Sequence, residues 1–249
     1  MDNAIYVGLS RQMTLQRAMD VTANNIANLD TAGFKVESLT LNEDPETPVS
    51  APATQPISYV LDKGLARNFG QGSLETTGNP LDLAIDGPGF FSVKTGDGVR
   101  YTRDGRFTLD PTGTLTDKLG HPLLDSGGAP IVLNPQNGAP TISRDGVVSQ
   151  TAANGQAVQV GKVGVVRFAD LAGLSKEGGD LFSAAAGQTP QPASDARIRQ
   201  GMVEKSNVQP VNEIVHLIAI TRAYQSVANM LTQTADLSEA AVTRLGKAA

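Results

Sequence analysis

The side chains best placed for covalent chemistry lie in LDSGGAP, residues 124–130, where Asp125, Ser126, Gly127 and Gly128 are similar to the nucleophile loop of trypsin-like proteases. Such a loop works when a histidine, itself oriented by a carboxylate, takes the serine proton. Here Leu124 stands where a glycine is required, and no histidine occupies a matching upstream motif. The stretch reads instead as a turn, made of residues that tolerate φ > 0 and bond their own backbone. The two imidazoles, His121 before Pro122 and His216 near the carboxyl end, are too isolated to form a metal triad or an oriented base. Asp82, Asp86, Asp104, Asp110 and Asp117 lack the alternating spacing of a calcium loop and sit beside Gly, Pro or strand ends. GDG at 96–98 has no third glycine of a dinucleotide fingerprint. The chain contains no cysteine, which removes disulfides, thiol nucleophiles and thiolate-ligated metals together. No enzymatic activity, metal or cofactor is expected.

Non-covalent chemistry is better represented. Residues 21–35 read VTANNIANLDTAGFK, placing Asn24, Asn25 and Asn28 at what is otherwise the end of a helix. Asparagine is a poor helix former that prefers caps and turns. A buried amide, however, donates and accepts at once and fixes register where apolar contacts alone would slide. Amides at i, i+1 and i+4 cover a sector wider than one partner helix, so contact with a neighbouring copy is expected of at least one. A C-terminal turn capped by asparagine is the plainer alternative.

Those residues must be positioned by helices. From Ala4 to Asn28 there is no proline, and Ile5, Leu9, Met13, Met19, Ala23 and Ile26 fit one helical stripe, capped by Asp2 or Asn3 and stopped before Gly33. After Pro210, which suits a first turn, Leu217, Ile220, Tyr224, Val227, Leu231, Thr234, Ser238, Ala241 and Leu245 alternate in steps of three and four, a coiled-coil seam. Residues 1–35 balance Arg11, Arg17 and Lys35 against Asp2, Asp20 and Asp30, and residues 201–249 are balanced as well, so the net charge of -5 lies in the middle. Helices with an open far side usually carry many charges there. These carry Asn, Gln, Ser, Thr and Ala, which suits helices with neighbours on most sides.

Between them run short β-branched and aromatic stretches such as FFSV, VRYTR and VGVVRF, broken by Asp-Gly at 86–87, 97–98, 104–105 and 145–146, a hairpin signal. Two proline-rich joins, 43–56 and 187–195, read as exposed connectors. The expected fold is α+β: paired terminal helices, coiled-coil-like, enclosing an inserted antiparallel β domain. Its divisions are 1–35 with 205–249 for the helices, 36–76 for an extended connector, and 77–204 for the β domain. The acidic balance offers no basic field for nucleic acid. No run of about 18 apolar residues could span a membrane, and the first 20 residues lack a cleavable secretory signal.

Three blocks together carry a resemblance. ANNIANLDTAGFK at 23–35, GNPLDLAIDGPGFFSV at 78–93 with YTRDGRFTLDPTGTL at 101–115, and GMVEKSNVQPVNEIVHLIAITRAYQSVANML at 201–231 resemble, in order, the bacterial flagellar rod and hook proteins. The opening MDNAIYVGLSRQMTLQ is similar to the proximal-rod type of that family. The resemblance implies a structural subunit of the flagellar basal-body rod that assembles with copies of itself and with other rod proteins. Helices would form an inner tube and the β domain an outer layer, in the periplasmic portion of the basal body. Uncleaved delivery through the flagellar type III export apparatus is implied too. A distal-rod or hook-type subunit is the alternative within the family. A secreted β-rich adhesin or phage-tail-like protein is one outside it, and does not explain the asparagine motif with its T-x-GFK turn. The assembly interface is expected at Ile5, Leu9, Met13, Met19, Asn24, Asn25, Ile26, Asn28, Gly33, Phe34, Leu217, Ile220, Tyr224, Val227, Leu231, Ala241 and Leu245.

Overall fold

A computed structural model describes residues 2–45 and 58–247; for 2–4, 41–45, 58–63, 238, 241, 242 and 244–247 it describes the backbone alone. The chain divides into two compact units, one made of Met1–Ala27, Glu37–Asn68 and Gln209–Ala249, the other of Asn28–Val36 and Phe69–Val208. The expected α+β class, with paired terminal helices and an inserted antiparallel β region, is what the chain adopts.

The first unit is built on helices α1 (Asp2–Ala27) and α2 (Pro210–Lys247). Pro210 opens α2, where its missing N–H costs no hydrogen bond, and Glu213 adds a carboxylate to the positive end of the helix. The expected cap at Asp2 or Asn3 lies outside the described side chains. The helices run antiparallel: Asn25 bonds Glu213, the Thr221 hydroxyl points to the Met19 sulfur, and a methyl placed on Gly8 would meet Leu231 at 2.6 Å. Strands β1 (Glu37–Pro45) and β2 (Ser58–Arg67) pair in register from Glu37 with Arg67 to Pro45 with Ser58, with a bulge at Thr40 and Leu41, and this ladder packs on α1. Both strands fall within the stretch 36–76.

In the second unit the largest sheet has six antiparallel strands, in the order Leu174–Glu177, Leu181–Ala184, Gly98–Thr102, Phe90–Thr95, Val165–Arg167 and Gln191–Pro192. Its main core joins Leu83, Ile85, Phe91, Val93, Phe107 and Leu133 with Val148 and Val163, all closed to solvent. Two of the four Asp-Gly pairs make hairpins. Asp97-Gly98 turns Phe90–Thr95 into Gly98–Thr102, and Asp145-Gly146 turns Thr141–Ile142 into Val147–Thr151. Asp86 instead ends a strand paired with Arg197–Gln200, and Gly105 serves close approach, since a Cβ there would lie 1.6 Å from the Leu83 carbonyl oxygen.

Residues 110–133 fold as three similar turns that the linear sequence conceals. Asp110, Asp117 and Asp125 each accept backbone N–H groups two and four residues on, from Thr112 and Thr114, from Leu119 and His121, and from Gly127 and Ala129. Between the turns, Leu115 N–H donates to Ile131, Ile131 to Leu123 and Leu123 to Leu115, closing a ring of three main-chain bonds. All three side chains of that ring are buried in the core. The aspartates rejected as calcium ligands at 110 and 117 thus act on their own backbone, as does the protease-like Asp125.

Candidate assembly interface

Leu217, Ile220, Tyr224, Val227, Leu231 and Thr234 are all half-buried on α2, whereas the side chains of Ala241 and Leu245 lie outside the described ones. The face they form is used within the chain. Against it α1 places Gly8, which faces Leu231, and the half-buried Met19, which faces Thr221.

At one end of the contact Asn25 is 2% exposed and fully matched. Its Nδ2 donates to the Glu37 carbonyl at 2.8 Å and to Glu213 Oε2 at 3.2 Å, while its Oδ1 accepts the Glu37 N–H at 3.0 Å. Arg67 Nε in turn donates to Glu37 Oε1 at 2.8 Å. This amide ties α1 to α2 and β1 of its own chain. Asn28 accepts the Thr31 hydroxyl at 3.1 Å in the turn after α1, while Asn24 points outward on an exposed position.

Gly33 and Phe34, also expected at the interface, are enclosed by the second unit. Gly33 has φ of +74°, and a Cβ on it would lie 2.4 Å from the Asp104 nitrogen, so glycine is required both for the turn and for the approach. Phe34 is 1% exposed, with the Lys176 ammonium 4.3 Å above its ring. A side chain already packed inside its own unit has no surface left for a neighbouring copy.

Next to that turn is a buried ionic node that sequence reasoning missed. Lys35 Nζ lies 2.6 Å from Glu204 Oε1, Arg103 donates to Glu204 Oε2 at 2.9 Å, and Gly72 N–H adds a third donor. Lys35 also donates to the Gly70 carbonyl, and Asn207 joins Val36 to that same carbonyl. The node thereby stitches together 33–36, 70–72 and 204–207, three passages of the chain. Burial pulls Lys35 below its ordinary pKa, against the attraction of Glu204. Nothing in the composition around Lys35 or Glu204 announces this, because their partners are distant in sequence.

Two apolar faces remain open in the first unit. On α1 these are Ile5, Tyr6, Leu9 and Met13, with Met13 67% exposed; on α2 they are Val211, Ile214, Val215 and Ile218, with Val211 72% exposed. The second set was not anticipated, although its spacing of three, one and three is the signature of an apolar helical face. Because the helices are antiparallel, the two faces lie at opposite ends of the pair. A groove of about 560 Å³ follows the first, lined by Leu9, Met13, Gln16, Asp20 and, across from α2, Tyr224. Contiguous exposed apolar side chains of this kind mark contact surfaces. Among the described residues no helix is long and apolar enough to cross a membrane, and no group of His, Cys, Asp or Glu is placed to hold a metal ion.

Comparison with known proteins matches three separate parts of the chain to models of one family. Residues 5–35 match the flagella basal body rod protein model, residues 84–150 the D1 domain of flagellar hook protein FlgE/F/G, and residues 199–244 the C-terminal part of flagellar basal body rod FlgEFG proteins. The flagellar basal-body rod protein FlgF of Caulobacter vibrioides is 52% identical, covering 99% of both chains. FlgF of Mesorhizobium japonicum is 39% identical over 99% of both. The rod protein FlgG of Bacillus subtilis is 32% identical, covering 94% of this chain and 96% of its own.

Proposed function

Since this chain belongs to the flagellar basal-body rod family and is a structural subunit of the flagellar rod, we propose that it is an F-type, proximal subunit that works by assembly without catalysis. It assembles with copies of itself and with other rod proteins. The paired helices form the axial layer, and the site is the periplasmic part of the basal body. Export through the flagellar type III apparatus without cleavage belongs to the same reading. The observation that supports it most is the pair of open apolar faces on helices that also pair with each other within the chain. Burying such faces supplies roughly 25 cal/mol per Å² removed from water.

The test is complementation. In its source bacterium, a strain deleted for this gene should lose swimming and regain it from a plasmid copy, and a tag in the β unit should locate to the rod in basal bodies. The same plasmid should fail to rescue a strain lacking the G-type rod protein. Rescue of the G-type deletion, or a tag found only in the hook, would overturn the F-type assignment.

A further inference from the structure

The β unit contains a cavity of about 390 Å³ whose lining suits neither a structural void nor a helix contact. Phe69, Phe90 and Phe168 wall it, with Phe90 set 5.6 Å from Phe69 and 6.1 Å from Phe168 between ring centroids. Arg103 lines it as well, its guanidinium carbon 5.4 Å above the Phe90 ring and its side chain only 4% exposed. Its terminal nitrogens donate to Glu204 and to the Gly87 carbonyl, yet its Nε–H, shut off from solvent, has no acceptor. Buried donors are rarely left in this state without a reason.

The local charge is also unbalanced. Lys35 and Arg103 share the single carboxylate of Glu204, which leaves one surplus positive charge beneath the cavity. Burial lowers the Arg103 pKa, and Glu204 offsets that only in part. A second cation, Arg167, lines the cavity with its side chain 46% exposed. It reaches Asp195 only at 3.4 and 3.5 Å, well beyond the usual 2.7–2.9 Å of a charge-assisted bond.

We propose that this cavity binds a carboxylate carried on an aromatic or branched apolar body. The carboxylate takes the forked donors of Arg167 in the field of the surplus charge at Arg103, and the apolar body lies on the three rings. A monoanion fits because one charge is in surplus and the walls are apolar, whereas a phosphate dianion would bring excess charge against the rings. The carboxylate can come from a free small acid or from the end of a peptide chain, since both present the same group.

The experiment titrates the full chain with phenylacetate, with N-acetyl-glycyl-phenylalanine and with neutral phenylacetamide, following backbone amide shifts by NMR. Either acid should bind with Kd near or below about 1 mM, and the tighter of the two identifies the source. Phenylacetamide should bind at least about 10-fold more weakly, the loss of one charged hydrogen-bonding partner. Arg167→Gln should weaken the acid by a similar factor with an unchanged melting temperature, as should Leu171→Glu, which sets a carboxylate among the residues lining the cavity. Equal binding of acid and amide, no shifts with either acid, or an unaffected Arg167→Gln protein would overturn the proposal.

Discussion

At the level of single residues, the strongest constraint is the unequal ledger of the ionic node. Glu204 is the one carboxylate shared by two cations, so its removal strands both, while removal of Lys35 leaves Arg103 and Glu204 as a balanced pair. Breaking a buried pair from the side that leaves charge uncompensated costs about 3–5 kcal/mol. Glu204→Gln is therefore expected to lose roughly that much in urea unfolding, and Lys35→Met to lose about 1–2 kcal/mol for the donors it removes. A Lys35→Met protein as unstable as Glu204→Gln would refute the asymmetry. The pH response separates the two further. Because burial lowers the folded-state pKa of Lys35 beneath its ordinary 10.5, the unfolded chain binds the extra proton in that interval. Stability from this group accordingly rises as pH climbs from the lowered value toward 10.5 and falls as pH drops through it. Lys35→Met should lack that rise. Asn25 teaches the complementary lesson: its chemistry, a matched buried amide, was legible from VTANNIAN, but its partner was not, because Glu37 and Glu213 lie on elements that only the folded chain brings to it.

At the level of elements, the two helices were readable from periodicity, and so was the seam of Leu217, Ile220, Tyr224, Val227 and Leu231. What periodicity could not assign was which face meets which partner. On α1 the apolar stripe of Ile5, Leu9 and Met13 stays open, while Gly8, Met19 and Asn25 meet Leu231, Thr221 and Glu213 of α2. Gly8 lets the Leu231 side chain lie against the α1 backbone, since a Cβ there would come within 2.6 Å of it. The β unit repeats the point, for DPTG, DKLG and DSGG at 110, 117 and 125 form one motif thrice, although the chain shows only scattered turn residues. Opposite outcomes follow for one substitution on two faces. Val227→Asp, on the intrachain seam, should lower the stability of the helical unit by several kcal/mol, the cost of a charge without a partner. Met13→Asp or Ile218→Asp, on open faces, should change monomer stability by no more than about 0.5 kcal/mol while abolishing swimming in the complementation assay. Circular dichroism melts beside motility plates read both, and a destabilised Met13→Asp monomer would place that side chain inside the chain's own core.

For the whole molecule, the distribution of charge sets the character of assembly. The helical ends are neutral, and the net charge of -5 belongs to the residues between them. If subunits join through the helices, association is driven by apolar burial, which strengthens on warming from the cold because its enthalpy is near zero and its heat capacity change is large. Screening should matter little, since salt shortens the reach of charges and leaves apolar contacts in place. If they join through the β unit instead, the contacts fall among its many charged side chains, 15 acidic against 13 basic, and association should respond to added salt. Sedimentation velocity on the purified full chain distinguishes these routes. Raising the temperature from about 5 to about 25 °C should shift the chain toward larger species, whereas a tenfold rise in sodium chloride from roughly 0.05 M should shift it little. A protein carrying both Met13→Asp and Ile218→Asp should remain monomeric under every condition. Association that responds to salt and ignores temperature, and that persists in the double variant, would move the contact surface from the helices to the β unit.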